Sequence, residues 1–223
     1  MAKLLSTQKN QNHLFPLNKE TSKSNVDIDS FLSKEWLLTN KRGGFSSSTV
    51  LGVNTRRYHG LLTGSLNPPA NRVNSLNSVL ESVTSTHGQF EFSSFEFDSG
   101  VEFLGKEFIT GFYKDSGVHF KYDLNWVDIT KSIYLFHDRD AVFIVYDFSN
   151  VYNDFDFSIR PLAAMRDFHA LQSSNTGLSG KWRSEGVVIT GPDHNLGELY
   201  LSSSQMWFEK DPQWWYNFIY RKD

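Results

Sequence analysis

The feature that most limits what this chain can fold into is a missing one. None of its 223 residues belongs to a long helical period, while short runs alternating apolar and polar residues recur along most of its length. Val118, Phe120, Tyr122 and Leu124 alternate with His119, Lys121 and Asp123, the pattern of a strand with one wet face. Phe155, Phe157 and Ile159 repeat it. Residues 141–148, AVFIVYDF, are apolar almost without a break, which predicts a central strand covered on both faces. Phe90, Phe92, Phe95 and Phe97 keep period two on either side of Ser93 and Ser94, where the phase slips as it does at a β-bulge. Residues 79–84, 187–190, 199–202 and 205–209 read as further strands, with the turn signal GPDHNLG between the second and third. Residues 67–77, NPPANRVNSLN, read as a loop, and residues 162–171 as either a short helix or an irregular strand. Many short strands with regular turn signals predict an all-β fold with little helix, a large antiparallel β-sandwich.

A chain of this length with 39% hydrophobic residues, 19 Phe and 6 Trp can bury a sizeable core as one domain. Residues 1–25 are rich in Ser, Thr, Asn, Gln and Lys and read as a flexible arm or loosely docked strand, so the compact domain is expected over residues 26–223. A formal net charge of −3 gives no electrostatic reason to expect a nucleic acid or an anionic membrane as partner. The chain has no Cys, which excludes disulfides and thiolate-held metals and fits a cytoplasmic location. The start MAKLLSTQKNQNHLF lacks the apolar core of a signal peptide, and no run reaches the ~18 apolar residues that span a bilayer.

The chemically specialised residues concentrate in residues 35–62, EWLLTNKRGGFSSSTVLGVNTRRYHGLL. Gly43 and Gly44 allow a tight turn, followed by the small polar run Ser46, Ser47, Ser48 and Thr49. Residues 50–53 and 58–62 are β-prone, so two strands are expected, joined by a connection that carries Arg56 and Arg57. At strand spacing Arg57 and His59 share one face while Arg56 and Tyr58 share the other, so that one pair turns inward.

The runs Glu35-Trp36-Leu37-Leu38-Thr39-Asn40, Gly43-Gly44-Phe45 and Asn54-Thr55-Arg56-Arg57-Tyr58-His59-Gly60-Leu61-Leu62 resemble, in order, the amino-terminal domain of bacterial and archaeal glycogen debranching enzymes of the amylo-α-1,6-glucosidase type. A second block, from Arg160 through Arg166, Asp167, Phe168 and His169 to Leu171, is similar to a later segment of that family, and Trp215 to Tyr220 to its lead into the catalytic part. The chain departs from the pattern at Lys41-Arg42 and at Ser48. The resemblance implies a β-sandwich of the super-sandwich kind, preceding an (α/α)6 barrel that holds the catalytic acids of this glycoside hydrolase.

Glycoside hydrolysis needs two carboxyl groups flanking the scissile bond. Asp138 with Asp140, Asp154 with Asp156, and Glu96 with Asp98 are each spaced to share a strand face, which is also how a solvated face looks. No catalytic residue is assigned among them. Seven scattered His lack ligand spacing, the glycines lack a phosphate-loop frame, and Ser47 and Ser48 lack a nucleophile elbow, so neither metal nor cofactor is expected. Trp182, Trp207 and the Trp214-Trp215 pair offer aromatic surface that could be core or sugar-facing.

Arg56, Arg57, Tyr58, His59, Arg166, Asp167 and His169 remain as a substrate or domain interface. Three roles are open to them: internal pairing, with Glu35 or Asp167 as acids for Arg56 or Arg57; docking of a neighbouring domain; and contact with an α-glucan. The first expectation is a non-catalytic amino-terminal module that packs on a glucosidase barrel, in the same or a neighbouring chain, and helps shape the glucan site in glycogen breakdown. The alternatives are a stand-alone α-glucan-binding module, and an enzyme in its own right that uses some of the carboxylates above.

Overall fold

A computed structural model describes residues 15–16, 28–98, 100–102, 105, 107–172 and 177–223. Apart from Phe15 and Pro16, the predicted arm over residues 1–25 lies outside the described residues. In chain order the strands are β1 (Phe15–Pro16), β2 (Glu35–Thr39), β3 (Phe45–Thr49), β4 (Gly60–Asn67), β5 (Ala70–Ser85), β6 (Gly88–Glu91), β7 (Phe95–Phe97) and β8 (Gly100–Glu102). They continue with β9 (Ile109–Lys114), β10 (Val118–Asp123), β11 (Asp128–Leu135), β12 (Val142–Ser149), β13 (Phe155–Asp167), β14 (Ser179–Arg183), β15 (Gly186–Thr190) and β16 (Glu198–Ser202). Among the described residues one α-helix, α1 (Ile28–Leu32), precedes β2 and inserts the buried Leu32. No helix among the described residues is long and apolar enough to cross a membrane.

Every pairing is antiparallel. One sheet runs β1-β9-β10-β11-β12 and a second β13-β5-β4-β3-β2, with β6 beside β5. Strands β14-β15-β16 form a smaller sheet, and β7-β8 a ribbon. The two large sheets face each other: Trp36 and Leu76 of the second lie in one buried cluster with Phe112, Phe120 and Ile133 of the first. Trp36 meets Phe120 edge-on at 6.4 Å between ring centres, and Phe92 lies 5.0 Å from Tyr122. The all-β sandwich expected from the alternating runs is the observed architecture.

Buried between the sheets is an ion pair, Glu81 of β5 with Lys131 of β11. The Tyr146 hydroxyl donates to Glu81 Oε1 at 2.8 Å, and Ser93 Oγ donates to the other carboxylate oxygen while accepting the Glu81 N–H at 2.7 Å. Burial, followed by the field of Glu81, pushes the Tyr122 and Tyr146 hydroxyls well above their ordinary pKa.

Several local expectations change. Residues 141–148 do not form a central strand: β12 ends its sheet, with inner positions packed on the core and Phe143 and Val145 turned outward. The apolar run reflects an outer face that is also apolar. Strand β10 is the reverse case, because its predicted wet face holds His119, buried under Tyr113 at 4.2 Å. The slip at Ser93 and Ser94 is a break between β6 and β7, fixed by the Ser93 contact with Glu81, and not a bulge. Residues 70–77 are strand, because Pro68 and Pro69 make a tight hairpin between β4 and β5. Residues 162–167 continue β13 as an irregular strand with two register shifts, and residues 205–209 form no strand.

Candidate functional site

After β3 the chain does not resume as a strand over residues 50–53. It loops, with Thr49 Oγ1 donating to the Val53 carbonyl at 2.9 Å and accepting the Val53 N–H at 3.1 Å, while Gly52 takes φ +76°. Residues 56–59 form a turn closed by the His59 N–H on the Arg56 carbonyl at 3.0 Å. Two-residue face alternation therefore does not apply to Arg56, Arg57, Tyr58 and His59. Instead each has its own direction.

His59 points inward and is buried. Its Nδ1 accepts the Thr55 N–H at 3.1 Å, which fixes the neutral tautomer with the proton on Nε2, 4.0 Å from Glu35 Oε2. Burial lowers its pKa to about 4 in spite of that carboxylate. Its carbonyl takes Asn74 Nδ2 at 2.8 Å, and a Cβ on the next residue, Gly60, would lie 2.8 Å from the same amide.

Arg56 lies at the surface, bonded through Nε to Glu35 Oε1 at 2.9 Å; Lys222 reaches the same oxygen at 3.1 Å. Desolvation raises the Glu35 carboxyl, but its bonds to Arg56 and Lys222 outweigh that and hold it below its ordinary value. Glu35 is thus one of the two acids foreseen for the Arg pair. Arg57 instead pairs with Asp223, whose Oδ2 accepts both Arg57 Nε at 2.9 Å and its N–H at 2.8 Å. The second foreseen acid, Asp167, accepts the His169 N–H at 2.8 Å.

The second block, at the end of β13, comes to the same place. Arg166 is 4% exposed and donates to main-chain oxygens: Ala170 at 2.7 Å, Arg57 at 2.5 Å, and Asp167 and Phe168 at 3.3 Å. Burial lowers its guanidinium pKa, with the Tyr220 hydroxyl acting the other way. Tyr58 Oη lies 3.3 Å from His169 Nδ1, and the Tyr58 ring lies 5.4 Å from Phe168. Phe168 also takes Phe45 edge-on at 6.5 Å and the Arg72 guanidinium at 5.6 Å. All seven residues singled out from the sequence therefore come together in one region, with His59 and Arg166 buried beneath its surface. Three participants were missed. Phe168 lies in the second block beside Asp167 and His169 but was not among the seven, Arg72 reads as part of a loop, and Asp223 carries no local signal.

Beside this surface the Gly43-Gly44 turn is closed by Asn40, whose Oδ1 accepts the N–H groups of Arg42 at 3.0 Å and Gly44 at 2.8 Å. Asp140 locks it from across the sandwich, accepting from Asn40 Nδ2 at 2.8 Å, the Ser65 N–H at 3.0 Å and Arg42 Nε at 3.3 Å. The carboxylate pairs read from the sequence are accounted for in similar ways. Asp140 is this lock and Asp138 pairs with Arg139 in solvent. Glu96 is held by Arg221 at 2.6 and 2.8 Å, while Asp154 and Asp156 are exposed.

Ser132, His119 and Asp115 form a hydrogen-bonded row at 2.9 and 3.0 Å. Its composition is that of a nucleophilic triad, but Ser132 is buried and bonds Nδ1, and Asp115 takes Nε2. A buried hydroxyl beneath a sheet face cannot reach a substrate carbonyl. Among the described residues no three His, Asp or Glu side chains gather as metal ligands. Of the aromatic candidates, Trp207 is 84% exposed and Trp182 lies at an edge of the small sheet.

A family model described as glycogen debranching enzyme N terminal matches residues 34–223. Comparison with curated proteins and with solved structures returned no match.

Proposed function

The chain belongs to the glycogen debranching enzyme N-terminal family, and from that premise we propose that it is a non-catalytic module that packs on an (α/α)6 glucosidase barrel and helps shape its α-glucan site. The observation that carries this reading is the convergence of Arg57, Tyr58, Phe168 and His169 where residues 220–223 return to the sandwich. The Lys222 N–H bonds the Thr55 carbonyl at 3.0 Å, so a chain continuing past Asp223 leaves from beside this surface. A domain joined there would start against a half-exposed patch of cations and rings, suited to acidic loops and to the faces of sugar rings. The separate fates of Asp138 and Asp140, and of Glu96, held by Arg221, and the exposed Asp98, support a module without its own acid and base.

The test uses an enzyme that joins the chain to its barrel. His169→Ala removes an exposed ring without touching the core, and should leave the melting temperature unchanged. It should lower kcat/KM on a branched glucan by about tenfold, as the loss of one positioning contact does. The isolated chain should release no glucose from a limit dextrin. Full activity of the His169 variant, or glucose release by the isolated chain, refutes the proposal.

A further inference from the structure

Strand β12 has β11 as its one sheet neighbour among the described residues, and the two pair without a register break over eight residues. Its far side presents a regular row of unpaired main-chain groups, which is a template for another strand. Other edges of the large sheets are defended. Strand β1 has two residues, β13 contains Pro161 and two register shifts, and β2 is short and carries Glu35. Strand β12 has no Pro, Gly, Lys or Arg, and Asp147 is its single charge. Its outward side chains include Phe143 at 58% and Val145 at 40% exposure.

We propose that this edge is a homodimer interface, in which two copies of the chain pair β12 with β12 antiparallel and merge two five-stranded sheets into one. Antiparallel self-pairing leaves only the register to choose. Centred on Val145, it sets Phe143 against the partner's Asp147, a ring facing a carboxylate. Centred on Ile144, it sets Phe143 against the partner's Val145 twice by symmetry, a favourable aromatic to β-branched pair. Val142 then faces the partner's Tyr146 on the inner side. Asp147 falls opposite the partner's Ala141, just beyond the end of the partner's strand. Side-chain pairing therefore favours the Ile144 register. The contact is isologous and closes after two copies.

Sedimentation equilibrium from micromolar to near-millimolar chain should show the mass double. Val145→Lys and Phe143→Glu change exposed side chains, so each should fold as the parent does, judged by its melt. Each should weaken dimerisation by about tenfold or more, since a charge then faces an apolar partner. An equimolar mixture of the two variants sets opposite charges face to face at one of the two cross-strand pairs and should dimerise again. A chain that stays monomeric at every concentration overturns the proposal, as does a dimer indifferent to both variants. So does a monomer whose binding of maltoheptaose or of a glucosidase barrel is lost in these variants, because the edge then serves another occupant.

Discussion

Replacing Arg166 by Ala tests how the candidate site is held together. Its guanidinium joins the end of β13 to the turn over residues 56–59 through bonds to Ala170 at 2.7 Å and Arg57 at 2.5 Å, with two longer ones at 3.3 Å. A hydrogen bond to a charged group contributes about 1.5–3 kcal/mol, and a buried carbonyl left without a donor forfeits most of that. The two short bonds alone give about 3–6 kcal/mol; rehydration of the neighbouring turn returns part, so the loss should be roughly 3–5 kcal/mol. Arg166→Lys keeps the charge but not the fork, and should recover about half. Arg56→Ala breaks a solvent-exposed pair with Glu35 and should cost no more than about 1 kcal/mol. Urea unfolding followed by Trp fluorescence resolves these values, because at a slope of ~2 kcal/mol/M the Arg166→Ala midpoint falls by about 2 M. If Arg166→Ala unfolds at the midpoint of Arg56→Ala, the carbonyl cage is not what joins the two blocks.

His59 makes stability depend on pH. Its folded pKa of about 4 lies below its ordinary 6.5, so the unfolded chain takes the proton first. The contribution is complete above about pH 6.5 and is lost as pH falls towards 4, up to about 3 kcal/mol. His59→Gln should flatten that part of a urea-stability profile, and a variant with the parent's slope between pH 6.5 and 4 would count against a buried neutral ring. In the core, Lys131→Met strands the Glu81 carboxylate and should cost roughly 3–5 kcal/mol, whereas adding Glu81→Gln should restore more than half of it. Additive losses in that pair of melts would show that the two charges do not interact.

The sheets were legible in the sequence because period two is a local property, and β10, β12, β13, β15 and β16 could be read from it, while β9 and β11 could not. What misled were residues whose setting depends on distant strands. Phe143 and Val145 look like core because they are apolar, yet only the strand order of the sheet decides whether a neighbour covers them. His119 looks like solvent-facing polarity, yet Tyr113 and Ser132, on strands either side of it, bury it. The Pro68-Pro69 pair was correctly read as a break, but a break two residues wide between long strands resembles a loop when Asn and Arg follow it. In the candidate site the specialised residues were visible by type, and Glu35 was a foreseeable partner. Asp223 was not, being 166 residues from Arg57.

The site separates into residues that the fold needs and residues that it does not. His59 and Arg166 are buried and hold main-chain groups, so their chemistry is spent inside the domain. Arg56 and Arg57 are half-exposed, and ion pairs in that setting contribute about 1 kcal/mol at most. Tyr58 and His169 touch each other at the surface. A chain selected only to keep its sandwich folded would gain little from gathering two guanidinium groups, a phenol and an imidazole on one turn and one strand end. The partner proposed above would meet them beside the returning residues 220–223, and Arg57 is the residue where the two demands would overlap, since its acid, Asp223, lies in that returning segment.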